Sequence, residues 1–217
     1  MMKLYIYEHC PFCVVTKMIF VLKNYPVEIA YLLYDDVQTP MQMVGRKLLP
    51  ILEYKPNVFM PESIDIIRYI DQNIGQPRVI LPEVDFIEEW VKGVQRFIYR
   101  LAYPRWIRAP FPEFASEESQ KYFHKTKDPS GRGFMSDLAD PALLQRAQRV
   151  IDSLEDILLD YPLIDHDREL SISDFSLFAQ LHSLSIIKGL YYGPVVNQWR
   201  QHASELCFIP LSDEFAN

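Results

Sequence analysis

Leu4-Tyr5-Ile6-Tyr7-Glu8-His9-Cys10-Pro11-Phe12-Cys13-Val14-Val15 is the stretch on which the fold of this chain turns. An apolar run, Leu4 to Tyr7, reads as a buried strand because apolar residues fill both faces. Val14, Val15, Met18, Ile19 and Leu22 then recur at helical spacing. Two thiols separated by two residues at a strand-to-helix junction point to a redox dithiol. Cys10 precedes the helix, where unpaired backbone N–H groups and the positive end of the macrodipole favour a thiolate. Cys13 lies one turn in, within reach of a mixed disulfide formed by Cys10. Pro11 suits the first helical turn, where a missing N–H costs nothing.

Outward from this stretch, Asn24-Tyr25-Pro26 stops the helix, and Val27 to Leu33 forms a second apolar run. Strand, helix and strand at this length predict a βαβ unit with parallel strands. Thr39-Pro40 begins a short helix near Met41 to Lys47. Pro50 to Glu53 and Val58 to Met60 flank the turn Tyr54-Lys55-Pro56-Asn57, which reads as a hairpin. Ser63, Ile66, Ile67, Ile70 and Ile74 mark a third helix, ended by Gly75. The order βαβ-α-ββα is thioredoxin-like, and residues 1–76 are expected to form this α/β domain. Residues 77–84, with Pro77 and Pro82, read as a linker. Residues 85–217 carry no convincing strand and are expected to form an all-α domain. Its helices are predicted over 86–103, 117–125, 141–159, 172–188 and 195–203. Ser130-Gly131-Arg132-Gly133 reads as a loop. It lacks the preceding strand and the following Lys-Ser/Thr of a phosphate cradle.

Composition excludes several classes. A zinc site needs four ligands, and the dithiol supplies two. The remaining cysteine, Cys207, and the five histidines show no metal spacing, so no metal is expected. Three cysteines are too few for a disulfide scaffold, and no signal peptide precedes the first strand. No apolar run is long enough to cross a bilayer, so no membrane association is expected, and the reducing cytoplasm is the expected compartment. The net charge of −7 argues against nucleic-acid binding. That charge is uneven: residues 77–110 are net +2, whereas 111–217 are net −8. Lys92, Arg96 and Arg100 follow at i, i+4 and i+8, a stripe that is either a solvated helix face or a cationic wall for anionic substrates.

Two further motifs bear on chemistry. Leu49-Pro50 begins the hairpin. In a thioredoxin-like fold a cis proline here faces the cysteines and turns the backbone of Leu49 towards a peptide-like substrate; an ordinary trans proline at a strand start is the alternative. Pro61-Glu62-Ser63 opens the third helix. Ser63 and the adjacent N–H groups suit a carboxylate, and Glu62 suits an ammonium. Together they describe a binding site for an α-amino acid end, such as the γ-glutamyl group of glutathione; taken alone, the pair also reads as a plain helix cap.

In this order, Cys10-Pro11-Phe12-Cys13, Leu49-Pro50 and Glu62-Ser63 resemble the glutathione transferase superfamily. Leu170-Ser171-Ile172-Ser173-Asp174-Phe175 is similar to that superfamily's buried capping motif. Ser171 caps, Asp174 reaches back to the Ser171 N–H, and Leu170 packs on Phe175. The resemblance covers nearly the whole chain. A glutaredoxin dithiol on a two-domain, transferase-sized chain looks like the bacterial glutaredoxin 2 family.

The resemblance implies a glutathione-dependent thiol–disulfide oxidoreductase with glutathione as co-substrate and disulfide-containing or glutathionylated proteins as partners. Cys10 would be the nucleophile and Cys13 the resolving thiol. Cys10, Phe12, Leu49, Pro50, Glu62 and Ser63 would contact glutathione, while Ser171 and Asp174 would be structural. A monomer is expected, because nothing reads as an exposed apolar dimer face. Alternatives are a glutathione transferase or dehydroascorbate reductase using Cys10 alone, and a non-enzymatic interaction protein on the same scaffold. Cys207 is expected to be a buried inert thiol. His9 is expected to be a solvated residue at a strand end, with a role beside the Cys10 thiolate as its alternative.

Overall fold

The structure, a computed structural model, describes residues 1–131 and 133–216; the side chain of Arg96 lies outside this set. Four strands form one sheet: β1 (Lys3–Ile6), β2 (Glu28–Tyr31), β3 (Ile51–Lys55) and β4 (Val58–Pro61). Their order is β2-β1-β3-β4. The β1–β2 pair is parallel, and the β1–β3 and β3–β4 pairs are antiparallel. The crossover α1 (Pro11–Leu22) joins the parallel strands, α2 (Gln38–Val44) precedes the hairpin, and α3 (Ser63–Asn73) follows it. This is the predicted βαβ-α-ββα order.

Burial explains why these residues form these elements. Leu4 and Ile6 of β1 are fully buried, as are Ile51 and Leu52 of β3. Val14, Met18 and Ile19 of α1 and Ile66, Ile67 and Ile70 of α3 are equally buried, and the two helices pack together. At roughly 1.5–3 kcal/mol for each large apolar side chain buried, this cluster supplies the main favourable free energy of the sheet domain. One expectation needs correction. β1 buries alternate residues, not both faces: Tyr5 is half-buried, and its hydroxyl donates to Glu53 Oε2 at 3.1 Å. An aromatic residue with a polar tip suits that half-wet face.

The chain divides into two compact units, residues 1–78 with 109–131, and 79–108 with 132–217. The 77–84 segment spans the first crossing between them. On one side of it, the Arg78 N–H donates to both Asp71 carboxylate oxygens at 2.9 and 3.0 Å. On the other, Val79 bridges to Leu170, and the Leu81 N–H donates to the Leu170 carbonyl at 3.0 Å. Residues 109–131, expected with the helical domain, pack in the first unit. They comprise a 3₁₀ turn (Pro112–Phe114) and α5 (Glu117–Lys127).

The second unit is built from α4 (Asp85–Trp106), α6 (Gly133–Leu138), α7 (Pro141–Ile157), α8 (Ile172–Leu184) and α9 (Pro194–Leu206). Helix α8 is its centre. Every residue from Ser173 to Leu184 except Ser176 is buried, the mark of a helix enclosed on all sides. The expected loop at 130–133 is shorter than predicted: Gly133 already opens α6, and Arg132 lies outside the described residues. Six residues are too few for a helical period to be legible in sequence.

The capping motif of α8 forms. The Ser173 N–H donates to Ser171 Oγ at 3.2 Å, and the Ser171 N–H donates to Asp174 Oδ2 at 2.8 Å. Leu170 and Phe175 are both buried. Asp174 does more than cap. Its Oδ1 also accepts from Tyr161 Oη at 2.8 Å and Arg168 Nη2 at 2.6 Å.

Candidate active site

Strand register carries the site. Tyr5 lies opposite Ile51, and Ile51 lies opposite Pro61. Pro50 therefore sits at the end of the sheet towards which β1 runs, and so does the Pro61-Glu62-Ser63 corner. Cys10 follows β1 from that same end. Three motifs far apart in sequence are thus brought to one edge of one sheet.

Cys10 is the N-cap of α1, in extended backbone with φ −76° and ψ 119°. Its carbonyl accepts from the N–H groups of Cys13 at 2.9 Å and Val14 at 3.0 Å. Cys10 is partly exposed, Cys13 is fully buried, and Phe12 is 50% exposed beside them. The Cys10 thiol is lowered to about 7, chiefly because the Cys13 thiol donates a hydrogen bond to its sulfur. Burial opposes this shift, while the charge of His9 and the N–H groups of Cys13 and Phe12 assist it. Cys13 moves the other way. Burial raises its thiol well above the ordinary value, and the hydrogen bond it gives to Cys10 holds its proton in place.

His9 is not solvated, which corrects the expectation for a strand-end histidine. It is 6% exposed, and its Nδ1 lies 2.5 Å from Oε1 of Glu113, which is fully buried. The rings of Tyr7, Tyr34, Phe114 and Phe123 surround it at centroid distances of 5.1–5.9 Å. Glu113 also accepts from the N–H groups of Glu8 at 3.1 Å and His9 at 3.0 Å. Burial alone would raise its carboxyl, but the hydrogen bonds and charge of His9 hold it below the ordinary carboxylate value. Glu113 was not legible in sequence, because one acidic residue between prolines and phenylalanines carries no spacing signal.

The Leu49–Pro50 peptide bond is cis. Leu49 is half-buried and Pro50 buried. Glu62 has φ 71°, a left-handed conformation unusual for a residue with a side chain, and such positions concentrate at functional sites. As N-cap of α3, Glu62 makes no side-chain capping bond. Its carboxylate instead points to Arg46, with Nη2 3.2 Å from Oε1. Ser63 is buried at the first position of α3. Lys47, another residue not singled out from sequence, stacks on Tyr34 and Tyr122 with Nζ 4.6 and 3.9 Å from the ring centroids. Burial lowers its ammonium to about 8.

The remaining candidates lie in the second unit. Arg100 of the basic stripe pairs with Asp137 of α6 at 2.5 Å, Lys92 is exposed, and the side chain of Arg96 lies outside the described residues. Cys207 is fully buried. Among the described residues, no three His, Cys, Asp or Glu side chains are grouped to hold a metal ion. Among them, too, no helix is long and apolar enough to cross a membrane.

Comparison with known proteins shows the family. Residues 86–216 match the family described as Glutaredoxin 2, C terminal domain, and residues 4–78 match Glutathione S-transferase, N-terminal domain. Glutaredoxin 2 of Escherichia coli strain K12 is 36% identical over 216 residues, which is 99% of this chain and 100% of the relative. The crystal structure of glutaredoxin 2 from Salmonella typhimurium in complex with glutathione has a TM-score of 0.92 at 36% identity. That match covers 100% of this chain and 99% of the other. A glutathione S-transferase of Ceriporiopsis subvermispora shares the fold at a TM-score of 0.65 and 15% identity, over 100% of this chain and 98% of its own. A thioredoxin-like sheet domain and a helical C-terminal half agree with these matches: the chain belongs to the glutaredoxin 2 family and is a glutathione-dependent oxidoreductase with the glutathione transferase fold.

Proposed function

We propose that this enzyme reduces protein disulfides and protein–glutathione mixed disulfides through Cys10 and Cys13, with glutathione as the electron donor. The observation that carries the reading is the split between the two thiols. Cys10, partly exposed at the N-terminus of α1, is lowered to about 7, while buried Cys13 is raised and holds its proton. Only the thiolate is the nucleophile, so the pair is already divided into attacker and reserve.

With a glutathionylated protein, the Cys10 thiolate attacks the glutathione sulfur. The Cys10–glutathione disulfide forms, the original S–S bond breaks, and the protein leaves as a thiolate. A second glutathione thiolate then attacks the glutathione sulfur of that adduct, giving glutathione disulfide and free Cys10 thiolate. With a protein disulfide, Cys10 forms a mixed disulfide and one substrate thiolate leaves. Cys13 gives up its proton and attacks the Cys10 sulfur, the second substrate thiolate leaves, and the Cys10–Cys13 disulfide is reduced by two glutathione molecules.

For glutathione itself, Ser63 and the first N–H groups of α3 suit the γ-glutamyl carboxylate, and Glu62 suits its ammonium. The strained backbone of Glu62 and its unused capping role favour this reading over a plain helix cap. Leu49 and Pro50 lie at the same sheet end and suit the peptide backbone, with Phe12 beside the sulfur. Reduction of a small glutathione mixed disulfide, coupled to glutathione reductase and NADPH, tests the proposal. Turnover lost in Cys10→Ser is expected; turnover kept in that variant would overturn it.

A further inference from the structure

Glu113 is a buried acid in contact with the residues that precede the dithiol. It is fully buried, yet three hydrogen-bond donors converge on its carboxylate. All three belong to Glu8 and His9, the two residues immediately before the nucleophile. The main chain of Glu113 is fixed as well, since its carbonyl accepts from the Tyr34 N–H at 2.9 Å. The 3₁₀ turn carrying Glu113 therefore clamps the loops that follow β1 and β2. A buried ion pair is weak as a stability device, because desolvation offsets much of its attraction. Stability alone does not explain a carboxylate at this position.

We propose that Glu113 is a positioning residue for the thiol chemistry: its carboxylate fixes the Glu8–His9 backbone, and thus the head of α1, and holds the His9 ring as a paired cation beside Cys10. This inference rests on the reading of Cys10 as the nucleophile. The chemistry of the contact sets the tautomer. An ionised carboxylate only accepts, so His9 Nδ1 carries the hydrogen at 2.5 Å. The ring is enclosed by Tyr7, Tyr34, Phe114 and Phe123, where water does not compete for it. Its charge acts on Cys10 in the direction of the thiolate. The carboxylate alone would act in the opposite direction, as it does on Cys13. Of the two charges in the pair, it is that of His9 that acts on Cys10, towards the thiolate.

Other charged groups nearby have their own partners. Glu8 accepts from Lys17 at 2.8 Å and from the Tyr31 hydroxyl at 2.7 Å. Lys47 donates to the Tyr34 carbonyl, and Asp35 accepts from the Ser119 hydroxyl. Cys10, Cys13 and the phenols of Tyr7 and Tyr34, whose rings flank His9, are further titratable neighbours.

A double-mutant cycle on full-length protein tests the proposal, reading the Cys10 titration through the pH dependence of iodoacetamide alkylation in a Cys207→Ser background that keeps Cys13, whose buried thiol is raised and holds its proton. Glu113→Gln and His9→Phe should each move the Cys10 midpoint to higher pH. At a fixed pH below both midpoints, alkylation then slows about tenfold for every pH unit by which the midpoint rises. Combining the two should add little to either, because Glu113 acts through His9. Independent, additive effects, or a midpoint that stays in place in Glu113→Gln, would overturn the proposal. An ordinary thiol midpoint in the parent would overturn it together with the reading of Cys10. If a variant does not fold, the nitrogen resonances of the His9 ring in the wild type decide. A hydrogen on Nδ1 and a charged ring across the Cys10 titration support the proposal; a neutral ring overturns it.

Discussion

Cys13 acts on Cys10 in two ways: its backbone N–H donates to the Cys10 carbonyl at 2.9 Å, and its thiol side chain is the first cause of the lowered Cys10 thiol. In the proposed mechanism the resolving residue therefore also prepares the attacking one.

The first prediction follows from that effect of the Cys13 thiol. Thiolate absorbance in the reduced enzyme should titrate with a midpoint near 7, and reaction with disulfides should rise with pH through the same range. Cys13→Ala removes the donor and should move the midpoint towards the ordinary thiol value of about 8.5. An unmoved midpoint would show that the helix terminus and His9 suffice.

Folding stability should carry the same signature. A thiol lowered from 9.0 to about 7 on folding adds stability that is fully present above 9.0 and is lost as pH falls through 7. Cys13, raised on folding, begins to cost stability above 9.0. Denaturant stability of the reduced protein should therefore rise from pH 7 to pH 9 relative to Cys10→Ser, and level off or fall beyond. A constant difference between the two proteins across that window would contradict the titration.

Substitution of the second thiol should separate substrates. Cys13→Ser should keep turnover on glutathione mixed disulfides, because glutathione resolves the Cys10 adduct. It should lose most activity on protein disulfides, whose mixed disulfide needs an internal attack. Equal losses on both substrates, measured in parallel steady-state assays, would count against this division.

For glutathione recognition, Glu62→Ala and Ser63→Ala should each weaken binding by about 1–3 kcal/mol, the cost of losing a hydrogen bond to a charged group. The Cys10 titration should hardly change. Calorimetry showing wild-type affinity in both variants would return the pair to a backbone role.

Asp174→Ala should destabilise the protein by about 3–5 kcal/mol, more than a capping box alone is worth, because it leaves the mostly buried Arg168 without its carboxylate. Chemical denaturation measures this. A loss of only about 1 kcal/mol would mean that the cap is the whole contribution.

Much of this molecule is legible in its residues because the deciding signals are local. A dithiol at a strand-to-helix junction, a proline at the start of a hairpin, Glu62-Ser63 at a helix start and the Ser171–Asp174 box each span a few residues, and backbone geometry acts over that range. The helical recurrence of Val14, Met18 and Ile19 likewise declares its buried face, whereas Leu4 to Tyr7 reads as apolar on both faces and only the structure shows that alternate residues are buried. What only the tertiary structure decided lies beyond that reach. His9 meets Glu113 across 104 residues, Arg100 finds Asp137 across 37, and residues 109–131 pack with the sheet domain. No periodicity distinguishes a buried acid from a solvated one. The difference arises when packing removes water from Glu113 and leaves the donors of Glu8 and His9 as its partners.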